Sequence, residues 1–427
     1  MLKRLGFTEL RLPKLLGAFG FSQIVQLLAS TLRIPAIAES SSIEVLGAIF
    51  FWMNIQMWGS VLSAGGINVA RIAAQRGLAP TSRSGITAIV RRTTLGLGLL
   101  ITFTPLFVDT PVMLAGAGPT ILSLLAAAAF AKNIGIMQGK DRVSSVFNAT
   151  AVAAVLSLAV TLILTKSPFW HFLTPNLQVL LMSLVSLMSI TVPLLFAWVQ
   201  TRNIEFDNKG ISQQPKNTLI GFVELAAVLP PAFVSGFDTL ALAVTGNSSG
   251  IAEYGLVSRV GLITTVVVSA LYVQLNNVAG KRAELRGVDL ILDSIKLLAL
   301  TLPFSFAFLF FASRIVTLLS SGSVSSTSGP VFAVFLTSLI LPVWISCSAS
   351  LASRDIDRQR LGKYILLIVL PSSIIFTLSG SFFLGTAGPF FASALTYALA
   401  SLSAIWIFRQ GMMHSRIGAK SNIKVGS

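Results

Sequence analysis

Hydrophobic runs of about twenty residues alternate with short polar connections along the whole chain. Charged residues, prolines and Gly/Ser clusters separate twelve runs near 14–36, 43–70, 90–108, 111–131, 144–165, 177–200, 217–243, 251–279, 289–319, 330–352, 363–381 and 386–408. Backbone groups in hydrocarbon must be hydrogen-bonded within their own segment, and the sequence lacks the alternating ten-residue pattern of a β-barrel. The pattern therefore predicts an all-α polytopic membrane protein with twelve transmembrane helices.

The composition leaves no room for a large water-soluble domain. Hydrophobic residues make up 54% of the 427 residues and charged residues only 11%, and the mean hydropathy is +0.82. A soluble domain typically carries about 25% charged residues, which cover its water-facing surface. The basic start of the chain is not followed by a short apolar core and a small-residue cleavage site. We therefore interpret the first run as a retained helix.

Residues used in catalysis or metal binding are scarce. The one cysteine, Cys347, lies in an apolar run, and the two histidines, His171 and His414, fall in a connection and near the C-terminus. This excludes disulfides and thiolate metal sites, and it leaves no histidine beside an acid within the membrane for a Ser-His-Asp set. We expect no metal, no cofactor and no enzymatic activity.

Basic residues give the chain a net charge of +16, and their placement predicts its orientation. Of the 31 Lys and Arg residues, 26 lie in alternate connections, namely 1–14, 71–92, 132–142, 202–216, 281–286, 354–363 and 409–424. This distribution follows the positive-inside rule, which places these connections and both termini in the cytoplasm. The charge is thus explained by the bilayer, and we expect no nucleic acid as a partner.

A repeated segment indicates two related halves. The segment "INVARIAAQRG" (67–77) closes run two, and "NNVAGKRAELRG" (276–287) closes run eight, the second run after the polar connection at 201–216. Because each half has an even number of runs, both halves cross the membrane in the same sense, as in transporters built from parallel repeats around a central site. We predict two six-helix bundles around a central cavity: residues 1–200 and 217–409, with a cytoplasmic linker at 201–216 and a basic cytoplasmic tail at 410–427.

Polar residues inside the runs are the candidates for a site, because an unpartnered charge in the bilayer costs about 2.5–3.5 kcal/mol. Helical spacing aligns one polar stripe in each of four runs. The stripes comprise Gln23, Gln26, Ser30 and Arg33 in run one; Glu224, Ser235 and Asp238 in run seven; Arg259 and Asn277 in run eight; and Asp289, Asp293 and Lys296 in run nine. Runs one and seven occupy equivalent positions in the two halves.

Two interpretations of the stripes remain open. In one, they line a water-filled cavity between the halves. In the other, they join helices, for example through an ion pair between Asp238 and Arg259 on adjacent helices. The group at the start of run nine lies close enough to the cytoplasmic interface for its side chains to snorkel.

Several stretches carry a family resemblance. These are "LGAIFFWMNIQMWGSVLSAGGINVARIAAQRG" (46–77), "SGFDTLALAVTGNSSGIAEYGLVSRVGLI" (235–263), "ASRDIDRQRLGKYILLIVLPSS" (352–373) and "LGTAGPFFASALTYALAS" (384–401). In order along the chain, they are similar to helix two, the start of the second half and the last three helices of one family. That family is the Wzx-type polysaccharide flippases of the multidrug/oligosaccharidyl-lipid/polysaccharide exporter superfamily.

The resemblance implies two six-helix bundles forming a V around a cavity in a bacterial inner membrane. It also implies that the cargo is an oligosaccharide on a polyprenyl diphosphate, moved from the inner to the outer leaflet, with a glycan polymerase or glycosyltransferases as possible partners. Arginine pairs well with phosphate oxygens in a low-dielectric site. The residues then expected to contact the cargo are Arg33, Arg259, Lys296, Gln23, Gln26 and Asn277. Asp238 and Glu224 would neutralise the empty site or carry a coupling proton or cation.

Two other functions are compatible with the sequence. A cation-coupled multidrug exporter of the same superfamily would depend on the cavity acids more than on the arginines. A non-transporting membrane partner, such as an assembly scaffold or a glycan polymerase, is the second alternative. A polymerase would ordinarily need a large outer loop, whereas the longest outer connection here is about ten residues around Lys166.

Overall fold

A computed structural model describes residues 21–62, 64–75, 92, 95–96, 114–140, 142–202, 204, 237–245, 249–261, 264, 287–324, 328–352 and 355–423. The regular structure in these ranges is helical. The first half contains α1 Phe21–Ala38, α2 Ile43–Leu62, α3 Ala64–Gln75, α4 Ala117–Gly139, α5 Val143–Lys166 and α6 Pro175–Thr201. The second half contains α7 at 237–244 and α8 at 249–261, followed by α9 Gly287–Leu319, α10 Ser328–Ala352, α11 Asp355–Tyr364, α12 Leu370–Leu384 and α13 Ala387–Ile423.

Within the described ranges, seven helices are long and apolar enough to cross a bilayer. They are α4, α5, α6, α9, α10, the continuous helix through α11 and α12, and the first part of α13. A five-residue π-helical segment, Ile365–Val369, joins α11 to α12. The membrane-spanning, all-α character predicted from the apolar runs is therefore confirmed.

Helix boundaries agree with the hydrophobic runs where a run ends abruptly in polar residues. The run at 144–165 becomes α5 and the run at 177–200 becomes α6, each within two residues. The fourth run is displaced, because α4 extends to Gly139 where the run was expected to end near residue 131. Two isoleucines and a methionine continue the apolar sequence past Lys132, whose flexible stem can carry its charge out of the apolar layer. Most of the third run, most of the seventh and the second part of the eighth lie outside the described residues.

The two halves pack internally in the same way. In the first half, α6 packs against α4 and α5. In the second half, α13 packs against α10 and α12. These pairs occupy the same order within each half, so the packing is consistent with a parallel repeat. The last helix also continues through residues 410–423, the basic segment expected to form a tail.

One hydrophobic cluster contains residues from both halves and lies at one end of the molecule. At this end, short connections around residues 39–42, 167–174 and 320–327 link the helices. We call this end the short-loop side and the opposite end the basic side. The cluster contains Phe50 and Ile55 of α2 together with Val257 of α8. The clusters described on the basic side each lie within one half. The halves therefore meet at the short-loop side.

One close contact of this junction lies between α2 and α8. Gly255 of α8 packs directly against the ring of Phe50, and a Cβ at Gly255 would collide with that ring. Close approach at a small residue is the usual way for helices to associate where both are surrounded by lipid. One turn further along α8, Arg259 reaches Met53 of α2. We call these four residues the seam.

Candidate functional site

Arg33 is buried inside the first half, where neutral hydroxyl groups surround it. Only 4% of its surface is exposed. Its Nε donates to Thr161 Oγ1 of α5 at 3.0 Å, and its Nη2 donates to Ser186 Oγ of α6 at 3.4 Å. Within the sequence-predicted stripe on α1, Arg33 is therefore buried, whereas Gln26 and Ser30 are half-buried.

The two hydroxyls are oriented by their own helices to accept from Arg33. Thr161 donates its proton to the carbonyl of Ser157 at 2.7 Å, and Ser186 donates to the carbonyl of Met182 at 3.0 Å. A Ser or Thr that donates to the carbonyl four residues earlier presents its oxygen lone pairs outward. Arg33 is therefore held in place without any neutralisation of its charge by these partners.

Arg259 extends from the second half across the seam to the first. The residue is 9% exposed. Its guanidinium lies 5.7 Å from the centroid of the Phe50 ring, and its Nη2 is 3.9 Å from the sulfur of Met53. A cation over an aromatic face gains about 0.5–2 kcal/mol, which is far less than a carboxylate partner would supply.

Arg33 and Arg259 belong to opposite halves: Arg33 contacts α5 and α6 of the first half, and Arg259 reaches from the second half to α2. Both carry a positive charge, and like charges repel each other through space. The one ion pair formed among the described residues joins Lys166 to Glu39 at 3.4 Å, on the surface of the short-loop side. A pair of buried positive charges without a carboxylate among these residues is costly, and an anion is the ligand that relieves this cost.

Asp238 of α7 forms a separate polar site in the second half. It is 1% exposed, and its Oδ2 accepts from Tyr254 Oη at 2.6 Å and from Ser393 Oγ at 2.9 Å. Its Oδ1 has no hydrogen-bond partner among the described residues. Asp238 therefore forms no ion pair with Arg259, the pair given above as an example of stripes that join helices.

The remaining candidates lie apart from the arginine pair or outside the described residues. Gln26 is half-buried on α1, and Gln23 lies on the same helix, although its side chain is outside the description. Lys296 lies on α9, twenty-three residues from the end of that helix on the short-loop side. Arg33 lies five residues from the corresponding end of α1. At 1.5 Å per residue, the difference of eighteen residues places Lys296 about 27 Å nearer the basic side along the helix axes. Glu224 and Asn277 lie outside the described residues.

The partners of the site residues were not identified from the sequence. Thr161, Ser186, Tyr254 and Ser393 lie on other helices, and Ser and Thr are common throughout the apolar runs. Helical periodicity shows which residues share a face of one helix, but it does not show which helix that face contacts. A clue for Tyr254 existed, because a tyrosine buried in an apolar run needs a partner for its hydroxyl.

Comparisons with known proteins give a fold and no family assignment. No family model matches the chain, and no curated protein matches it. Among solved structures, an inward-facing multidrug resistance MATE family transporter of the MOP superfamily superposes with a TM-score of 0.60 at 16% identity. The alignment covers 93% of this chain and 96% of that one. An outward-facing structure of such a transporter gives a TM-score of 0.57 at 16% identity, over 93% and 95% of the two chains.

A MOP superfamily transporter from Pyrococcus furiosus has the same fold, with a TM-score of 0.54 at 15% identity over 94% of this chain and 95% of that one. For that protein, reverse polarity of the binding pocket has been taken to suggest a different function. These likenesses extend along nearly the whole chain. The chain therefore has the fold of MOP superfamily transporters.

Proposed function

We propose that the protein is an alternating-access transporter that moves an oligosaccharide on a polyprenyl diphosphate from the inner to the outer leaflet. The observation that carries this proposal is the pair of buried arginines, Arg33 from one half and Arg259 from the other, which have no carboxylate partner among the described residues. The fold supports transport, since structures with this fold include inward-facing and outward-facing states of a transporter.

The charge of the site favours an anionic cargo. Guanidinium groups bind phosphate oxygens through paired, charge-assisted hydrogen bonds, which are stronger where water is excluded. A diphosphate placed between Arg33 and Arg259 would neutralise their mutual repulsion, whereas a cationic drug would add to it. Arg33 is anchored to α5 and α6, so its guanidinium is positioned before the cargo arrives.

The orientation in the membrane follows from the basic connections. With these in the cytoplasm, the short-loop side faces outward, and the seam closes the outer end of the cavity. We propose that this arrangement is an inward-facing state, which would receive cargo made in the cytoplasm. We propose the bacterial inner membrane as the location, and a glycan polymerase and glycosyltransferases as the proteins that use and supply the cargo.

A second candidate function is cation-coupled export of drugs. The observation that favours it is Asp238, a buried carboxylate with one oxygen that no group bonds. An acid of this kind binds a proton or a cation. If the protein is a drug exporter, Asp238→Asn abolishes export of a cationic drug while Arg33→Gln and Arg259→Gln leave export unchanged. The reverse pattern, with glycan-lipid transport lost in the arginine variants, supports the main proposal.

The main proposal is tested by the binding of polyprenyl diphosphate to the purified protein in nanodiscs, with the polyprenyl alcohol as the ligand without phosphate. We expect Arg33→Gln and Arg259→Gln each to weaken diphosphate binding at least tenfold, because each loses charge-assisted hydrogen bonds worth about 1.5–3 kcal/mol. Arg314→Gln is the matched control, since Arg314 is exposed on α9, and it should stay within twofold of wild type. Wild-type affinity in both buried-arginine variants would refute the proposal.

A further inference from the structure

One short segment of α8 contacts both the buried acid and the seam. Tyr254 donates to Asp238, and the next residue, Gly255, packs against Phe50 of the first half. Arg259 lies one turn further along and also contacts Phe50. Successive residues of a helix point about 100° apart, so adjacent faces of α8 touch the acid and the seam.

We propose that Tyr254 is a positioning residue through which the charge of Asp238 controls the closure of the seam. The proposal rests on the alternating-access function proposed above. It adds the residue and the helix that connect the acid to the junction of the halves.

The seam-closed structure favours a neutral Asp238. The carboxyl group is buried, and its Oδ1 has no partner. Among the part of the chain that the structure describes, the titratable groups facing it are Tyr254 on α8 and Tyr397 on α13, and neither provides a positive charge. An ionised carboxylate in this position would be costly, whereas a proton on Oδ1 removes the charge and leaves both hydroxyl bonds at Oδ2 intact.

Loss of that proton would act on α8 through Tyr254. An ionised carboxylate binds a hydroxyl donor more strongly than a neutral acid does, so Tyr254 follows Asp238 when the carboxylate moves toward water. The backbone of Tyr254 continues directly into Gly255, whose contact with Phe50 has no spare space. A displacement of Tyr254 therefore withdraws Gly255 from Phe50 and opens the seam.

Ser393 provides a matched control. It donates to the same oxygen of Asp238 as Tyr254 does. However, it lies on α13, which belongs entirely to the second half and carries none of the four seam residues. Removing either hydroxyl takes one donor from the acid, but only the loss of the Tyr254 hydroxyl disconnects the acid from α8. The ring of Tyr254 stacks on Phe390 with centroids 4.5 Å apart, and phenylalanine preserves that packing.

The test measures the seam directly by double electron–electron resonance in nanodiscs between pH 5 and pH 9, without cargo. Spin labels are attached to cysteines that replace Glu44 on α2 and Ser249 on α8, in a Cys347→Ala background. In wild type, we expect the short-distance population to grow as the pH falls. In Asp238→Asn this population should be high and independent of pH, because the acid is permanently neutral.

The two hydroxyl variants then separate the role of α8 from that of the acid. Tyr254→Phe should lose at least two-thirds of the pH response, while Ser393→Ala should keep at least two-thirds of it. A pH-independent wild type overturns the proposal, as does an equal loss in the two hydroxyl variants. Since no cargo is present, an error about the cargo would not change these distances. A failure of the proposed function would instead appear in the binding of polyprenyl diphosphate.

Discussion

At the scale of single residues, the candidate site contains two arginines whose contacts among the described residues are with uncharged side chains. Arg33 is fixed by two hydroxyls and Arg259 by an aromatic ring and a thioether. These partners orient the guanidinium groups but do not neutralise them. Without a ligand, a site of this kind carries an unfavourable electrostatic free energy, and a bound anion removes it.

The positioning of Arg33 by its hydroxyl partners can be separated from the role of these side chains in packing. Thr161→Val removes the acceptor of Arg33 Nε, and we expect cargo affinity to fall about threefold to tenfold because the guanidinium is no longer held. Thr165→Val is the control, since Thr165 is buried on the same helix and bonds only the carbonyl of Thr161. Titrations of both variants with polyprenyl diphosphate make the comparison, and equal affinities would contradict the positioning role.

The sequence was sufficient to find Arg33, Arg259 and Asp238, because a charge within an apolar run is conspicuous. It was not sufficient to pair them. The partners of Arg33 lie 128 and 153 residues away in the chain. Asp238 bonds Tyr254, sixteen residues along. The choice between Tyr254 and Arg259 depends on how α8 is rotated about its axis, and the hydrophobic pattern does not determine that rotation.

At the scale of elements, helix boundaries were predictable where polar residues end an apolar run abruptly, and close helix contacts were not. The run at 144–165 became α5 almost unchanged, because Lys166 and Ser167 end the apolar segment. The crossing of α12 and α13 depends instead on a pair of glycines. Gly380 and Gly388 bring the two backbones into direct contact, and a Cβ at Gly388 would collide with the carbonyl of Gly380. Glycines elsewhere in the apolar runs look the same in sequence.

This crossing gives a stability prediction. Gly388→Ala should destabilise the protein by about 1–3 kcal/mol, because the backbones must separate to admit a methyl group. Thermal unfolding in detergent, followed by intrinsic tryptophan fluorescence, should show a lower midpoint. Gly118→Ala on α4 is the control, since a Cβ there meets no atom within 4 Å. If the two variants unfold at the same temperature, the crossing is not as tight as described.

At the scale of the whole molecule, the two halves meet at the short-loop side, and each contributes one arginine of the pair Arg33 and Arg259. The internal repeat in the sequence predicted two bundles, and the packing of α6 and α13 is consistent with it. The sequence did not show at which end the bundles meet. Apolar residues such as Phe50 and Gly255 are compatible both with a closed junction and with an open one. Under the proposed function, Arg33 and Arg259 form a bipartite site that opening of the seam would divide, because Arg259 is itself one of the seam residues.

The most direct test of this account is transport by the purified protein in liposomes. A polyprenyl diphosphate carrying a fluorescent oligosaccharide is placed in the lumenal leaflet, and its arrival outside is followed by the loss of fluorescence to a membrane-impermeant reductant. We predict rapid loss with wild type, at least a tenfold slower rate with Arg33→Gln or Arg259→Gln, and a wild-type rate with Arg314→Gln. Movement of the cargo at the wild-type rate in both buried-arginine variants would contradict the account.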